Sequence, residues 1–553
     1  MEMTRFLGSA QLKLLDLELV VFVLPTTGNG APPASFVPLW TALLHPQLPS
    51  DFLEDLRYAV FALGDSSYAK YNWVGKKMSR RLDSLGARAV VDLGEADDQN
   101  EWGVESTFPQ WMDQLFAKID NLHPLPQGVQ PTPEHETPPA RVRMRRIADQ
   151  RAAKRTRPMW AGDARWARIG ENARVTAQDW FQDVRSLELR IEDVSAESTL
   201  YEAGDVLEIK PENAPEDVER FLSSAGWTDI ADDYFEFSPS NADQPLAPHL
   251  PRSYIATLRQ ILTEELDVSS VPRVSFFEWL AAFSEGDMQE KLRYFCTGEG
   301  QDELIEYTLR PRRTINEVMY EFRSSNVPPE YVFDLLPPIR PRGFSISSSP
   351  AAHDGKVDLL VAIVRYRTIL SVPRKGLCTS YLSRLSAGDR LQVRFDKSGV
   401  LRLPPNKAPL IMVGPGTGVA PFRALMEERK RVGARENLLF FGCRSVEKDF
   451  YFREQWEQFK REGVLTLSVA PSRDQDDKVY VQHKIPEFAR QIWDYIERGG
   501  YIYVCGSSTQ MPRSVKKALL NVFCLQGQMT ETEAEQFWER LDKEGRIREE
   551  TWG

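Results

Sequence analysis

The stretch "APLIMVGPGTGVAPFRALMEER", residues Ala408–Arg429, reads as a strand, a glycine loop and a helix. Its apolar run suits a strand covered on both faces. Gly414, Gly416 and Gly418 remove Cβ atoms where the backbone must bend and approach a ligand. The helix that follows points unpaired N–H groups at that ligand, which favours a phosphate. The spacing differs from the Gly-x-Gly-x-x-Gly dinucleotide fingerprint, so a tight turn with no ligand stays open as the alternative.

Working outward, "LLFFGCR", "LTLSVAPSR" and "YIYVCGSS" are further short apolar runs with amphipathic helices between them. They predict a parallel α/β nucleotide-binding domain over residues 405–553. "PSRDQDDKVYVQ" follows the third of these strands. There Ser472, Arg473 and Lys478 put a hydroxyl and two cations where a nucleotide ribose would lie. A bare ribose is usually held by an acid, whereas a 2′-phosphate needs cations. The pattern predicts NADPH over NADH, with Tyr480 packed on the adenine face. The competing reading is a charged surface turn in which Asp474, Asp476 and Asp477 neutralise those cations.

Toward the N-terminus the pattern changes twice. Residues 161–404 contain antiparallel-looking strands ("VRSLELRIED", "KVDLLVAIVRYRT", "GDRLQVRF") interrupted by a mostly helical stretch at about 213–335. A β-barrel with a helical insert is the expected fold. Residues 121–160 open with the proline-rich "HPLPQGVQPTPEHETPPA", an extended linker. "RVRMRRIADQRAAKRTRP" then reads as a solvated basic helix. Residues 1–120 alternate apolar strands with helix-like segments ("RYAVFALGDSSY", "ARAVVDLGEADD"), as in a parallel sheet. The fold class is therefore α/β and multidomain.

The totals narrow the function. A chain of 553 residues is too long for one core. Its net charge of −11 argues against a general nucleic-acid binder. The five cysteines, Cys296, Cys378, Cys443, Cys505 and Cys524, show no Cys-x-x-Cys spacing, so neither a disulfide framework nor a metal site is expected. A membrane span is not expected either, because no run of 18 apolar residues exists. Cytoplasm is the expected compartment, with mitochondria second.

"GPGTGVAPFR", "SRDQ…KVYVQ", "YVCGSS" and the terminal "ETWG" together resemble the NADPH end of the diflavin reductase family. In that family a flavodoxin-like FMN domain is fused to a ferredoxin–NADP reductase-like module. "GDSSYAKYNW", "GEADDQ", "RGFSISSS", "GLCTSYL" and "EETWG" are most similar to its soluble branch, which serves cytosolic iron–sulfur protein assembly and passes electrons to an iron–sulfur partner of the anamorsin type. The resemblance implies FAD at Arg342, Gly343, Phe344 and Ser345. Arg342 would meet the pyrophosphate, Phe344 the ring face, and Ser345 the flavin N5. Gly376, Leu377, Cys378 and Thr379 would cap the FAD phosphates, and Arg310 would reach FAD as well. For NADPH it implies Thr417 in the glycine loop, and Val479, Val481 and Gln482 beside Ser472, Arg473, Lys478 and Tyr480. Ser345, Cys505 and Glu550 would surround the reacting rings, and Trp552 would shield the flavin. The bland alternatives are a solvated arginine, core aromatics, a small buried cysteine and a tail tryptophan anchored in a surface groove.

For FMN the resemblance points to Thr26, Thr27 and Gly28 in "PTTGNG". It points also to Leu63, Gly64, Asp65, Ser66, Ser67, Tyr68, Tyr71 and Asn72 in the second loop, with Tyr68 stacking, and to Asp97. Leu19–Leu24 matches the third strand of a flavodoxin sheet. The expectation is that the first strand and its phosphate loop are missing and that this chain holds FMN poorly.

The reading is an NADPH-dependent diflavin oxidoreductase, moving electrons from NADPH through FAD and FMN to the iron–sulfur acceptor. The rivals are an FAD-only reductase of artificial acceptors and a non-catalytic docking protein. Substituting Arg473→Ala should raise KM for NADPH about tenfold or more and leave KM for NADH nearly unchanged; equal effects in steady-state assays would remove the 2′-phosphate role.

Overall fold

Unbroken apolar runs and alternating ones become different kinds of strand here. Every residue of Asn437–Cys443 is buried, as a strand with helices on both faces requires. The structure, a computed structural model, describes residues 13–552 except 28–29, 34, 69, 131–132, 134–135, 157, 194–199, 242–248, 354 and 509. The expectation about a first strand falls on the segment before residue 13 and so lies outside the described residues. The chain divides into two units, Met1–Glu136 and Thr137–Gly553.

In the first unit β1 (Leu19–Pro25), β2 (Arg57–Gly64), β3 (Arg88–Ala89) and β4 (Gly94–Asp97) form a parallel sheet. Strand β2 is central, with β1 on one side and both β3 and β4 on the other. The helix Trp73–Ser84 buries Val74, Met78 and Leu82 on the β1–β2 side. Phe108–Leu122 buries Trp111 and Leu115 against Phe61 on the opposite face. Among the described residues β1 is an edge strand; Phe22 and Leu24 point into the core while Val21 and Val23 are exposed.

The second unit begins with β5 (Val142–Arg146) and β6 (Arg165–Arg174). It continues with β7 (Val184–Ile191), β8 (Val206–Ile209), β9 (Tyr234–Pro239), β10 (Tyr254–Thr257), β11 (Arg342–Ser345) and β12 (Lys356–Ala362). A short hairpin, β13 (Arg365–Tyr366) with β14 (Arg374–Lys375), precedes β15 (Arg390–Asp396). Six of these strands form one antiparallel sheet in the order β11–β8–β15–β6–β7–β12. It curls around Ile169, Leu187, Leu207, Ile209, Leu391 and Val393. The expected barrel is thus a curled sheet whose ladder stays open. Among the described residues, the isolated antiparallel bridge Ile346↔Leu359 is the one ladder contact joining its two edges.

One reading needs correction. The basic segment after the linker is strand β5, not a solvated helix. Its period is two: Val142 and Met144 face the insert core, while Arg143 and Arg145 face out. Its charges have partners, with Arg141 on Asp334 at 2.7 Å, Arg145 on Glu236, and Arg146 on Asp233 at 2.7 Å. The insert is mostly helical, as expected, and also carries strands. β5 pairs with β9, which pairs with β10, in a sheet packed under helices such as Pro215–Ala225 and Val274–Ala282.

The last five strands are β16 (Leu410–Pro415), β17 (Asn437–Cys443), β18 (Thr466–Pro471), β19 (Tyr501–Ser507) and β20 (Ile547–Trp552). All are parallel, in the order β18–β17–β16–β19–β20. The topology reverses direction at β16, where ligands of open α/β sheets bind beyond the carboxyl ends. Chain ends commonly fray, but this one is tied down as the edge strand β20. No helix among the described residues is long and apolar enough to cross a membrane.

Because Val142 is 2% exposed and Arg143 faces outward, Val142→Asp should lower unfolding free energy by about 3 kcal/mol or more. Arg143→Asp should stay within about 1 kcal/mol. Denaturant titration of the two variants checks the strand assignment, since similar losses would contradict it.

Candidate active site

Strand β16 ends at Pro415 and its chain turns through Gly416–Val419 into the helix Ala420–Arg431. Gly416 has a φ of +58°, which favours glycine. A Cβ on Gly418 would lie 2.2 Å from the Cys505 carbonyl oxygen, so the loop lies directly on β19. This close approach shapes one wall of a cavity of about 510 Å³. Thr417, Arg444, Ser472, Tyr480, Gln482 and Trp552 line it. The donor set suits an anionic, partly aromatic ligand: hydroxyls, a guanidinium and two aromatic rings.

Arg473 and Lys478 are exposed beside that wall. Ser472 N–H donates to the Cys443 carbonyl at 2.9 Å, and Arg473 N–H to the Arg444 carbonyl at 2.8 Å. These bonds fix the turn after β18 against the end of β17. The neighbouring acids have other arrangements. Asp474 accepts from Val446 N–H at 2.8 Å. Among the described residues no salt bridge joins Arg473 or Lys478 to Asp474, Asp476 or Asp477. Val479 packs on the core, Val481 is buried at the cavity wall, and Tyr480 stays exposed.

Behind the cavity wall formed by Ser507 and Trp552, β20 brings three of the expected residues together. Its register sets Glu550 opposite Cys505 and Trp552 opposite Ser507. Ser345 Oγ, at the end of β11, donates to Glu550 Oε1 at 2.5 Å. Burial pushes the Glu550 carboxyl above its usual range, against the Ser345 hydrogen bond and the charge of Arg402. Burial also pushes the Cys505 thiol far up, helped by Glu550, so it stays a thiol. Trp552 is 42% exposed at the cavity rim, and its carbonyl accepts from Ser508 N–H at 2.8 Å. Phe344 is half-buried against the core of the curled sheet.

Arg342 is exposed and donates to the Arg340 carbonyl at 2.9 Å and the Pro341 carbonyl at 3.2 Å. Beside it, a Cβ on Gly343 would crowd Val206 at 2.8 Å. Gly376 precedes the helix Leu377–Arg384, whose start is held by Val364 N–H donating to Thr379 Oγ1 at 3.1 Å. A Cβ on Gly376 would lie 2.8 Å from that Oγ1. Burial raises the Cys378 thiol to about 12, while the Arg342 charge opposes the shift. Arg342 and this helix start are therefore within electrostatic reach of each other, a fit for a pyrophosphate. Arg310 is ion-paired with Glu306 one turn earlier.

In the first unit the predicted loops gather at the carboxyl ends of β1, β2 and β4. Thr26 N–H donates to the Leu63 carbonyl at 2.9 Å, and Thr26 Oγ1 accepts from Val74 N–H at 3.3 Å. Thr27 closes its own loop on Ala31; Gly28 lies outside the described residues. Asp65 accepts from Ser67 N–H at 2.7 Å, and Asp97 from Ser66 N–H at 2.8 Å, which ties the second loop to the third. Asn72 is fully buried with φ of +53°, and its amide donates to the Ala96 carbonyl at 3.1 Å. A Cβ on Gly64 would lie 2.4 Å from its Oδ1. Asn72 thus clamps the loop shut, while Tyr68 presents an exposed ring and Tyr71 lies under Lys76.

Reading the sequence passed over Arg444 and Gln182, both in the cavity wall. Arg444 directly follows β17, and a carboxyl-end position in a parallel sheet was the signal available. Nothing local marks Gln182, which arrives from the β6–β7 loop.

A parallel sheet with a glycine loop, mated to a curled antiparallel sheet and accompanied by a flavodoxin-like unit, defines a nucleotide-dependent flavoprotein reductase. Family profiles agree: "Flavodoxin" matches residues 6–111, "FAD binding domain" 158–381 and "Oxidoreductase NAD-binding domain" 412–517. The chain is 39% identical to NADPH-dependent diflavin oxidoreductase 1 of Danio rerio over 555 residues, covering 98% of this chain and 92% of that protein. It is 38% identical to the Bos taurus protein of the same name over 556 residues, with 98% and 92% covered. With that of Cryptococcus neoformans var. neoformans serotype D (strain JEC21 / ATCC MYA-565) it shares 38% over 579 residues, with 97% and 92% covered. The chain belongs to the NADPH-dependent diflavin oxidoreductase family.

A carboxyl whose folded pKa is raised contributes stability below the usual 4.5, and that contribution is lost as pH climbs through the raised value. Glu550→Gln has no such loss. Wild-type stability relative to Glu550→Gln should therefore fall as pH rises from 4.5 upward, read by denaturant midpoints. A pH-independent difference would contradict the raised Glu550 pKa.

Proposed function

We propose that this chain draws electrons from NADPH through FAD and FMN and delivers them to an iron–sulfur protein of the anamorsin type, in cytosolic iron–sulfur cluster assembly. Support for the enzymatic core is the cluster Ser345–Glu550–Cys505, two residues along β20 from Trp552, which lines the cavity together with Thr417. Support for the acceptor is the likeness of "GEADDQ", "GLCTSYL" and "EETWG" to the iron–sulfur branch of the family. When bound, NADPH supplies a hydride to FAD, and the flavin pair divides it into single electrons.

The chain's own residues bind, orient and exclude water. Arg342, Gly343 and the Gly376–Thr379 helix start hold the FAD pyrophosphate. Phe344 and Trp552 flank the flavin ring. Ser472, Arg473 and Lys478 take the 2′-phosphate, Tyr480 the adenine, and Thr417, Val479, Val481 and Gln482 the rest of the nucleotide. Ser345 Oγ and the Glu550 carboxyl, whose proton burial favours, form a hydrogen-bonded pair, and the buried Cys505 thiol keeps water out. Tyr68, Asp65 and Asp97 shape the FMN loops. Cytoplasm is the proposed compartment, with mitochondria second.

In anaerobic stopped-flow with NADPH, Ser345→Ala should slow flavin reduction about tenfold or more at unchanged nucleotide affinity. The wild-type enzyme with NADPH should bleach the oxidised iron–sulfur acceptor. Normal flavin reduction in Ser345→Ala would remove the role of that pair, and an acceptor that stays oxidised while ferricyanide is reduced would remove the partner.

A further inference from the structure

The loop between β6 and β7 belongs to the curled sheet yet reaches the nucleotide cavity, and it is built rather than loose. Arg174 Nη2 donates to the Ala177 carbonyl at 2.9 Å and the Trp180 carbonyl at 2.7 Å. Thr176 Oγ1 donates to the Gln182 carbonyl at 2.8 Å. Ala177 N–H donates to the Lys448 carbonyl at 3.0 Å, and Lys448 Nζ meets Asp179 at 2.6 Å, so the loop is pinned to the segment after β17 as well. Its tip is Phe181, 65% exposed.

An exposed phenylalanine at the tip of a well-held loop gains little from burial. Its ring has another use here. The Arg444 guanidinium carbon stands 4.9 Å from the ring centroid, and the Arg473 carbon 5.2 Å. Arg444 also donates to Gln182 Oε1, next to Phe181 in the chain. Two cations on one ring would otherwise repel each other. A carboxylate could hold them together only by consuming their N–H donors and cancelling their charge. An aromatic face attracts both through its quadrupole and leaves those donors free.

We propose that Phe181 is a positioning residue for NADPH, holding Arg444 and Arg473 side by side so that their donors converge on the nucleotide 2′-phosphate. The proposal rests on the reading of Arg473 given above. It makes nucleotide selectivity depend on a side chain of the flavin-binding sheet that never touches the ligand. Arg444 lines the cavity and Arg473 stands outside its wall; their backbones are tied by the Arg473 N–H bond to the Arg444 carbonyl, and the Phe181 ring is what their guanidinium groups share.

The test uses the flavin-loaded full chain, with affinity for 2′,5′-ADP measured by calorimetry and KM measured for NADPH and NADH. Phe181→Ala should weaken 2′,5′-ADP binding about fivefold and raise KM for NADPH by a similar factor. KM for NADH and kcat should stay within about twofold. Phe181→Leu keeps apolar bulk and loses the quadrupole, so it should behave like Phe181→Ala, whereas Phe181→Trp should retain wild-type affinity. Wild-type affinity in Phe181→Leu would overturn the proposal, as would equal losses for NADPH and NADH in Phe181→Ala. Arg473→Ala run in parallel separates the layers. If it fails to discriminate the two nucleotides, the 2′-phosphate reading fails. If it discriminates while Phe181→Leu matches wild type, only the role of Phe181 fails.

Discussion

The second unit depends on a buried polar seam where the curled sheet meets the parallel one. Arg423, on the helix after the glycine loop, reaches Asp358 of β12 at 2.9 Å and stacks on Phe452. His353 Nε2 lies 3.0 Å from Glu427, which also accepts from Ser349 N–H at 2.8 Å. Buried pairs of this kind contribute little net stability, because desolvation offsets most of the attraction. Their geometry is demanding, however, and each group left unpartnered would be costly. The seam therefore sets which residues of the two sheets face each other. Its consequence is that Ser345 of β11 meets Glu550 of β20.

That meeting explains the electrostatics of the site. Glu550 lies on the last strand of the chain, opposite a buried cysteine and under a serine from another sheet. Apolar surroundings disfavour its carboxylate more than one hydroxyl and the more distant Arg402 favour it. A carboxyl whose proton is favoured by burial, beside a hydroxyl, is suited to holding or giving that proton. Beside the cavity the chemistry is reversed: cations stand exposed, and an aromatic ring rather than an acid keeps two of them together.

Much of this was readable before folding. The parallel strands announce themselves as unbroken apolar runs, and the glycine loop, the cation turn after β18 and Cys505 all sit next to such runs. One stretch misleads for a physical reason: "RVRMRR" reads as a helix because its charge masks a two-residue alternation only five positions long. The carboxylates that pair its arginines come from Asp233, Glu236 and Asp334, about ninety or more positions away. Asn72 falls inside a ligand-binding motif, yet its side chain is buried and ties two loops together.

The sequence by itself determined the architecture of three flavin and nucleotide domains and pointed to part of the cavity wall, Thr417, Ser472, Tyr480, Val481, Gln482 and Trp552. Periodicity and glycine placement are local properties, set by backbone sterics within a few residues. Only the tertiary structure decided which groups meet: Ser345 with Glu550, separated by 205 positions, and Phe181 with Arg444 and Arg473. A proton's location and a cation's freedom depend on burial and on distances of a few ångströms. Those quantities exist only once distant segments have packed.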